Sequence, residues 1–202
     1  MIRIYNKKYI PPPQDISQEP HYHELRHDFE INNVEIPHGT SMPYFHYHNV
    51  YELYYMKYGT KRYIINDIIY DLEPYDLVII RPGEIHRGLS CTNDPQQRVI
   101  LYFSERFMDR FADITKTHGL LDCLSQPFLS VPAKYRLSLG KLIERMCALD
   151  MRDLKDPVKK ALMQCRMFEL LCMLTEIARS IPGTITDNET VTRAGDFIEK
   201  TT

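Results

Sequence analysis

Three histidines and a glutamate carry the clearest chemistry in this 202-residue chain. His46, His48 and Glu52 occur together as HYHNVYE, and Gly59 follows after six intervening residues. Farther along, DLVIIRPGEIH ends on His86. Side chains alternate between the two faces of a strand, so His46, His48 and Glu52 share parity. A turn at Pro82-Gly83 would return His86 toward them. Three imidazoles and a carboxylate suit a divalent transition metal such as Fe, Mn, Ni, Cu or Zn, with positions left open for water or substrate. The same groups suit a metal-free pocket, because a neutral imidazole offers one donor and one acceptor to sugar hydroxyls or amides. Tyr54 and Met56 keep the parity of Glu52 and are expected to line the same interior, with Tyr102. Arg62 and Arg81 are the candidates for clamping a carboxylate or phosphate. His21, His23 and His27 form a second group, read as a solvated segment.

These residues need a β scaffold, and the first half of the chain supplies one. Residues 1–103 are rich in Tyr, Ile, Val, Pro and His, in short apolar runs broken by turn signals. Candidate strands are Tyr51–Tyr58, Tyr63–Ile65, Ile68–Leu72, Leu77–Ile80 and Arg98–Phe103. Asn66-Asp67 tolerates the positive φ angles of a tight hairpin. Strands of this length and spacing indicate a sandwich or small barrel. Pro11-Pro12-Pro13 is stiff and extended, and residues 1–30 read as an arm beside the barrel.

From Ser104 onward the period is helical. Ser104 can cap a short helix, SERFMDRFADI. A second helix is expected over about 134–149, with Leu139, Leu142, Ile143 and Met146 on one face. A third runs over about 156–180, capped by Asp156 with Pro157 at its first position. Its apolar residues, among them Leu170, Leu171, Leu174 and Ile177, cover more than one face. One face can bury against the second helix and another against a second subunit, so these eight residues are expected to form a homodimer interface. Residues 182–189 read as a linker. TVTRAGDFIEKTT is a short amphipathic segment with nothing after it to cover it.

The composition excludes several classes. There are 25 Lys+Arg against 27 Asp+Glu, and a net charge of −2 gives no electrostatic footprint for nucleic acid. No stretch approaches the roughly 20 apolar residues of a membrane span, and the first residues lack the pattern of a signal peptide. Cys91, Cys123, Cys147, Cys165 and Cys172 form no CxxC pair and read as reduced, mostly buried thiols of a cytoplasmic protein.

HxH, three residues, Glu, six residues and Gly, followed by PG, two residues and His, resembles the two-part cupin motif. Tyr75 stands where that motif usually has glycine, Arg81 where it usually has proline, and Ser90 where it usually has asparagine. The larger arrangement resembles an AraC-type transcription regulator. HYHNVYELYYMKYG…DLVIIRPGEIHR is similar to its effector-binding barrel, the helical pair to its dimerisation element, and TVTRAGDFIEK to the first helix of its helix-turn-helix DNA-binding domain. The resemblance implies an α+β fold: a cupin-like (double-stranded β-helix, jelly-roll) barrel over 31–103, then an antiparallel helical pair within a dimerisation region over 104–181. It implies a sensor rather than an enzyme. The effector, a sugar or a carboxylate-bearing metabolite, would contact His46, His48, Glu52, Tyr54, Met56, Arg62, Arg81, His86 or Tyr102, with no obligatory cofactor. Promoter DNA would be reached only through a C-terminal domain of which residues 190–202 are the beginning. The alternative is a metal-dependent cupin enzyme, a dioxygenase or isomerase, using His46, His48, Glu52 and His86.

Overall fold

A computed structural model describes residues 29–116, 124, 126–149 and 156–181. The proposed arm, linker, terminal helix and the histidines at 21, 23 and 27 lie outside the described residues. Among the described residues, eight strands and three helices follow in the order β1 (Phe29–Ile36), β2 (Tyr51–Tyr58), β3 (Lys61–Ile65), β4 (Ile68–Leu72), β5 (Asp76–Ile80), β6 (His86–Leu89), β7 (Gln96–Phe103), α1 (Glu105–Thr115), β8 (Phe128–Ser130), α2 (Ala133–Cys147) and α3 (Pro157–Ser180). Every strand pairing is antiparallel. One sheet has the order β1-β7-β2-β5-β8 and the other β4-β3-β6.

The two sheets face each other and close the cupin-like barrel. Tyr54, Met56, Val78, Ile80 and Ile100 from the larger sheet meet Tyr63, Ile65 and Leu72 from the smaller one in a single buried cluster. The alternate residues of the larger sheet, including Leu53, Tyr55, Leu77, Ile79, Val99 and Leu101, turn the other way into a second core with the three helices. The period of two therefore gives β2, β5 and β7 two buried faces. Asn66 and Asp67 carry φ of 45° and 66° and make the two-residue turn between β3 and β4.

Local chemistry sets the helix ends. The Ser104 hydroxyl accepts from the Phe107 amide at the start of α1, and the Asp156 carboxylate accepts from the Val158 amide beside Pro157 at the start of α3. α2 and α3 run antiparallel: the Tyr135 hydroxyl donates to Glu176 at one end and Arg145 to Glu169 farther along.

Four expectations are corrected. First, β8 lies in the stretch read as wholly helical. Its three residues are too few to show a period, and they pair with Asp76–Val78 of β5. Second, β1 begins inside the segment assigned to the arm. Third, Leu139, Leu142, Ile143, Met146, Leu170, Leu171, Leu174 and Ile177 do not face a partner; all are 0–1% exposed within the single chain. The breadth of apolar surface on α3 is used internally, against α2, the sheet and the aromatic face of α1, where Phe168 packs on Phe107 and Phe111. Fourth, Cys91, Cys165 and Cys172 are exposed rather than buried, the last two on the outward stripe of α3. No described helix is long and apolar enough to cross a membrane.

Leu142→Ala should cost about 2–5 kcal/mol by leaving a cavity in the helical core. Leu137→Ala, at a position 69% exposed, should change stability by no more than about 0.5 kcal/mol. Urea unfolding of the two variants checks the contrast.

Candidate functional site

Glu52 occupies the centre of one end of the barrel interior. It sits on β2, opposite Ile80 of β5 and Tyr102 of β7, and is completely buried. His48 is not on the strand. It lies just ahead of the bend that precedes β2, and its Nδ1 donates to the Val50 carbonyl at 2.8 Å. His86 opens β6, opposite Ile65 of β3, and its Nδ1 donates to the Glu84 carbonyl at 2.9 Å. Backbone bonds join the two halves of the motif: His46 and His86 exchange amide–carbonyl bonds at 3.0 and 2.9 Å, and the Gly83 amide donates to the His48 carbonyl. Gly83 has a φ of 82°, which the turn requires and glycine supplies freely.

With both Nδ1 atoms committed to carbonyls, the Nε2 atoms face one carboxylate oxygen. Glu52 Oε2 lies 3.1 Å from His48 Nε2 and 3.8 Å from His86 Nε2. Glu52 Oε1 accepts from the Tyr63 hydroxyl at 3.3 Å. Burial acts to raise the Glu52 carboxyl pKa, but the His48 hydrogen bond and the charges of His86, His48 and His46 outweigh it and hold it below its ordinary value. His86 is pushed down to about 4, chiefly by burial. Its Nε2 therefore presents a bare lone pair, is buried, and has no hydrogen-bond partner.

A cation resolves this arrangement directly. His48, Glu52 and His86 offer ligand atoms that all lie within 4.8 Å of one another. Two imidazole nitrogens and a carboxylate, with outer hydrogen bonds from Nδ1 to carbonyls, are a donor set that could hold a transition-metal ion. Bound there, a divalent ion would supply Lewis acidity. The four-residue set is thus corrected to three. The His46 ring packs against that of His86, with centroids 4.1 Å apart, instead of joining the ligand cluster.

Other expected positions divide by parity. Tyr54 and Met56 are fully buried in the interior, and Tyr102 faces His48 edge-on with ring centroids 5.7 Å apart. Burial, and then the Glu52 charge, raise the Tyr102 phenol well above its usual range. Arg62 and Arg81 are corrected, since neither faces the interior. Arg62 alternates with the buried Lys61 and Tyr63, and its guanidinium forms two bonds to Asp71 at 2.6 and 2.8 Å. Arg81 is exposed and donates to the Leu124 carbonyl. Sequence reasoning missed Lys61, Tyr63 and Arg98. The signal was available: Arg98 shares the parity of Tyr102, and Lys61 that of Tyr63.

The His86 shift fixes a pH dependence for chelator-treated protein. A histidine protonated at about pH 6.5 when unfolded but only near 4 when folded binds fewer protons in the native state over that window. Stability should therefore be full above that window and fall by about 2 kcal/mol between pH 7 and pH 5. Urea midpoints should show this, and His86→Asn should flatten the slope.

The barrel is similar to parts of solved proteins. ToxT from Vibrio cholerae is similar over 58% of this chain and 48% of its own, at 10% identity and a TM-score of 0.42. Oxalate decarboxylase from Bacillus subtilis is similar over 38% of this chain and 21% of its own, at 22% identity and a TM-score of 0.34. A cupin-superfamily sugar phosphate isomerase from Silicibacter pomeroyi is similar over 38% of this chain and 51% of its own, at 19% identity and a TM-score of 0.35. The chain spans about half the length of these proteins or less. No curated protein matches it. A family described as the AraC-like ligand binding domain matches residues 35–171. That match covers most of the barrel and of the helical pair, well over half the sequence, and the chain belongs to that family.

Proposed function

We propose that this chain senses a small-molecule effector in its barrel and passes the bound state to its helices, as the regulatory part of an AraC-type transcription regulator. The observation that carries this reading is a barrel interior furnished with polar groups whose bonding is incomplete. The buried His86 Nε2 and Tyr54 Oη have no partner. Such groups cost stability when left unpaired, and a ligand that pairs them is held with selectivity.

The architecture gives a route for the response. β2, β5 and β7 carry alternate residues into the barrel and into the helical core. A ligand that binds one arrangement of these strands more tightly shifts the helices by that difference in affinity and no more. A homodimer belongs to this proposal. Its surface would be the outer faces of the helices, where Leu137, Val158 and Leu162 are exposed. Promoter contact would fall to a helix-turn-helix reader C-terminal to the helices, and the effector is of the sugar or carboxylate class.

The His48–Glu52–His86 geometry favours a second reading, a metal-dependent cupin enzyme. Metal analysis of the protein purified without chelator, combined with a turnover assay, separates the two. The sensor reading expects no turnover of candidate substrates, whatever the metal content. Stoichiometric Fe, Mn or Ni, lost in His48→Ala and His86→Ala and accompanied by turnover, would establish the enzyme.

Sedimentation at micromolar concentration with a thermal-shift screen of small metabolites tests the sensor directly. A dimer stabilised by at least one metabolite is the expected result. A dimer that no metabolite stabilises would point instead to a ligand-free dimerisation module, and a persistent monomer would remove the dimer from the proposal.

A further inference from the structure

The end of the barrel opposite Glu52 has a different chemistry. Lys61 opens β3 and is 1% exposed. Its ammonium donates to the Thr40 carbonyl, which uses one of its three hydrogens. The stem runs past Gly88, where an added Cβ would stand only 3.1 Å from Lys61 Cε and 3.3 Å from the Tyr63 ring. Arg98 opens onto the same interior from β7, opposite Met56 of β2. Its Nε is shielded from solvent and has no hydrogen-bond partner. Its guanidinium lies over the Tyr54 ring, 5.6 Å from the centroid. The Tyr54 hydroxyl is also buried, beside the Arg98 guanidinium, and burial raises its pKa to about 12, so it keeps its proton and can donate.

All three groups are donors, and two are cations. Among the described residues no carboxylate pairs with Lys61 or Arg98. The two cations instead oppose each other: burial first, and then the Arg98 charge, lower the Lys61 ammonium to about 8. Glu52 forms no ion pair with either. Arg98 is four residues along β7 from Tyr102, the partner of Glu52, a backbone separation of about 13 Å along the strand. Burying two like charges without a counter-charge is unfavourable, and an anion in contact with both removes the penalty. Arg98 retains partial exposure.

We infer that Lys61, Arg98 and Tyr54 form an oxyanion subsite for a carboxylate or phosphate group of the small molecule bound in the barrel. This deepens the effector reading and rests on it. The subsite lies apart from the His48–Glu52–His86 cluster, so an effector with an anionic group at one end and a polar or metal-seeking group at the other would span the interior.

Thermal unfolding in inorganic phosphate and in succinate, at millimolar concentration and ionic strength matched with sodium chloride, tests it. Either oxyanion should raise the midpoint by several degrees over chloride, and which one does so distinguishes a phosphate from a carboxylate. Arg98→Gln and Lys61→Met should each weaken binding by about tenfold or more. Tyr54→Phe, which keeps the ring, should weaken it less and serves if the charge variants do not fold. Arg62→Gln, which removes a cation on the outer face, should leave the shift intact. Equal stabilisation by chloride, or a shift that survives both Arg98→Gln and Tyr54→Phe, would overturn the subsite. Stabilisation by a neutral sugar but by neither oxyanion would overturn the subsite while leaving the effector reading standing. No stabilisation by any small molecule would overturn both.

Discussion

A single carboxylate, Glu52, governs how this barrel is built. Ionised and fully buried, it would be ruinous unless its oxygens were met by donors or cations. The chain surrounds it with His48, His86 and Tyr63, drawn from the lead-in to β2, from β6 and from β3, and with Tyr102 across β7. Those partners come from both sheets, so the charge is compensated only when the barrel has closed. The same arrangement leaves His86 Nε2 without a donor. Closure and readiness for a ligand or a cation therefore follow from one residue.

The rest of the interior is organised along the strand axis. Acceptors and imidazoles gather at the Glu52 end, paired tyrosines fill the middle, with Tyr54 and Tyr63 rings 4.8 Å apart, and donors gather at Lys61 and Arg98. The larger sheet separates this polar interior from a dry core of leucine, methionine and phenylalanine under the helices. β2, β5 and β7 are buried on both faces. Under the proposed sensor function, a displacement of their interior residues would reach the helices, because close packing allows little slack to absorb it.

Much of this was legible in the sequence because it depends on local spacing. HYHNVYE and PGEIH located His48, Glu52 and His86, Asn66-Asp67 located a hairpin, and Ser104 and Asp156 located two helix starts. What was not legible depends on which way a side chain turns and on what already occupies a face. Arg62 and Arg81 looked like ligand clamps by type alone, but strand parity sends one to Asp71, and the other meets a carbonyl outside the barrel. His46 shares parity with His48, yet neither lies on β2 and the chain bends at 49–50 before that strand, so the strand argument lapses. The apolar breadth of α3 suggested a partner, whereas the sheet, α1 and α2 consume it within one chain. Lys61 and Arg98 went unnoticed because charged residues are expected outside, although parity with Tyr63 and Tyr102 places them within.

The central claim is that the polar interior is built to hold a small ligand. Native mass spectrometry of the protein as purified, repeated after adding candidate metabolites, tests it most directly. The account predicts a stoichiometric adduct, retained or added, that is lost when Tyr54 and His86 are replaced. Bare polypeptide mass in every charge state, before and after addition, would contradict it.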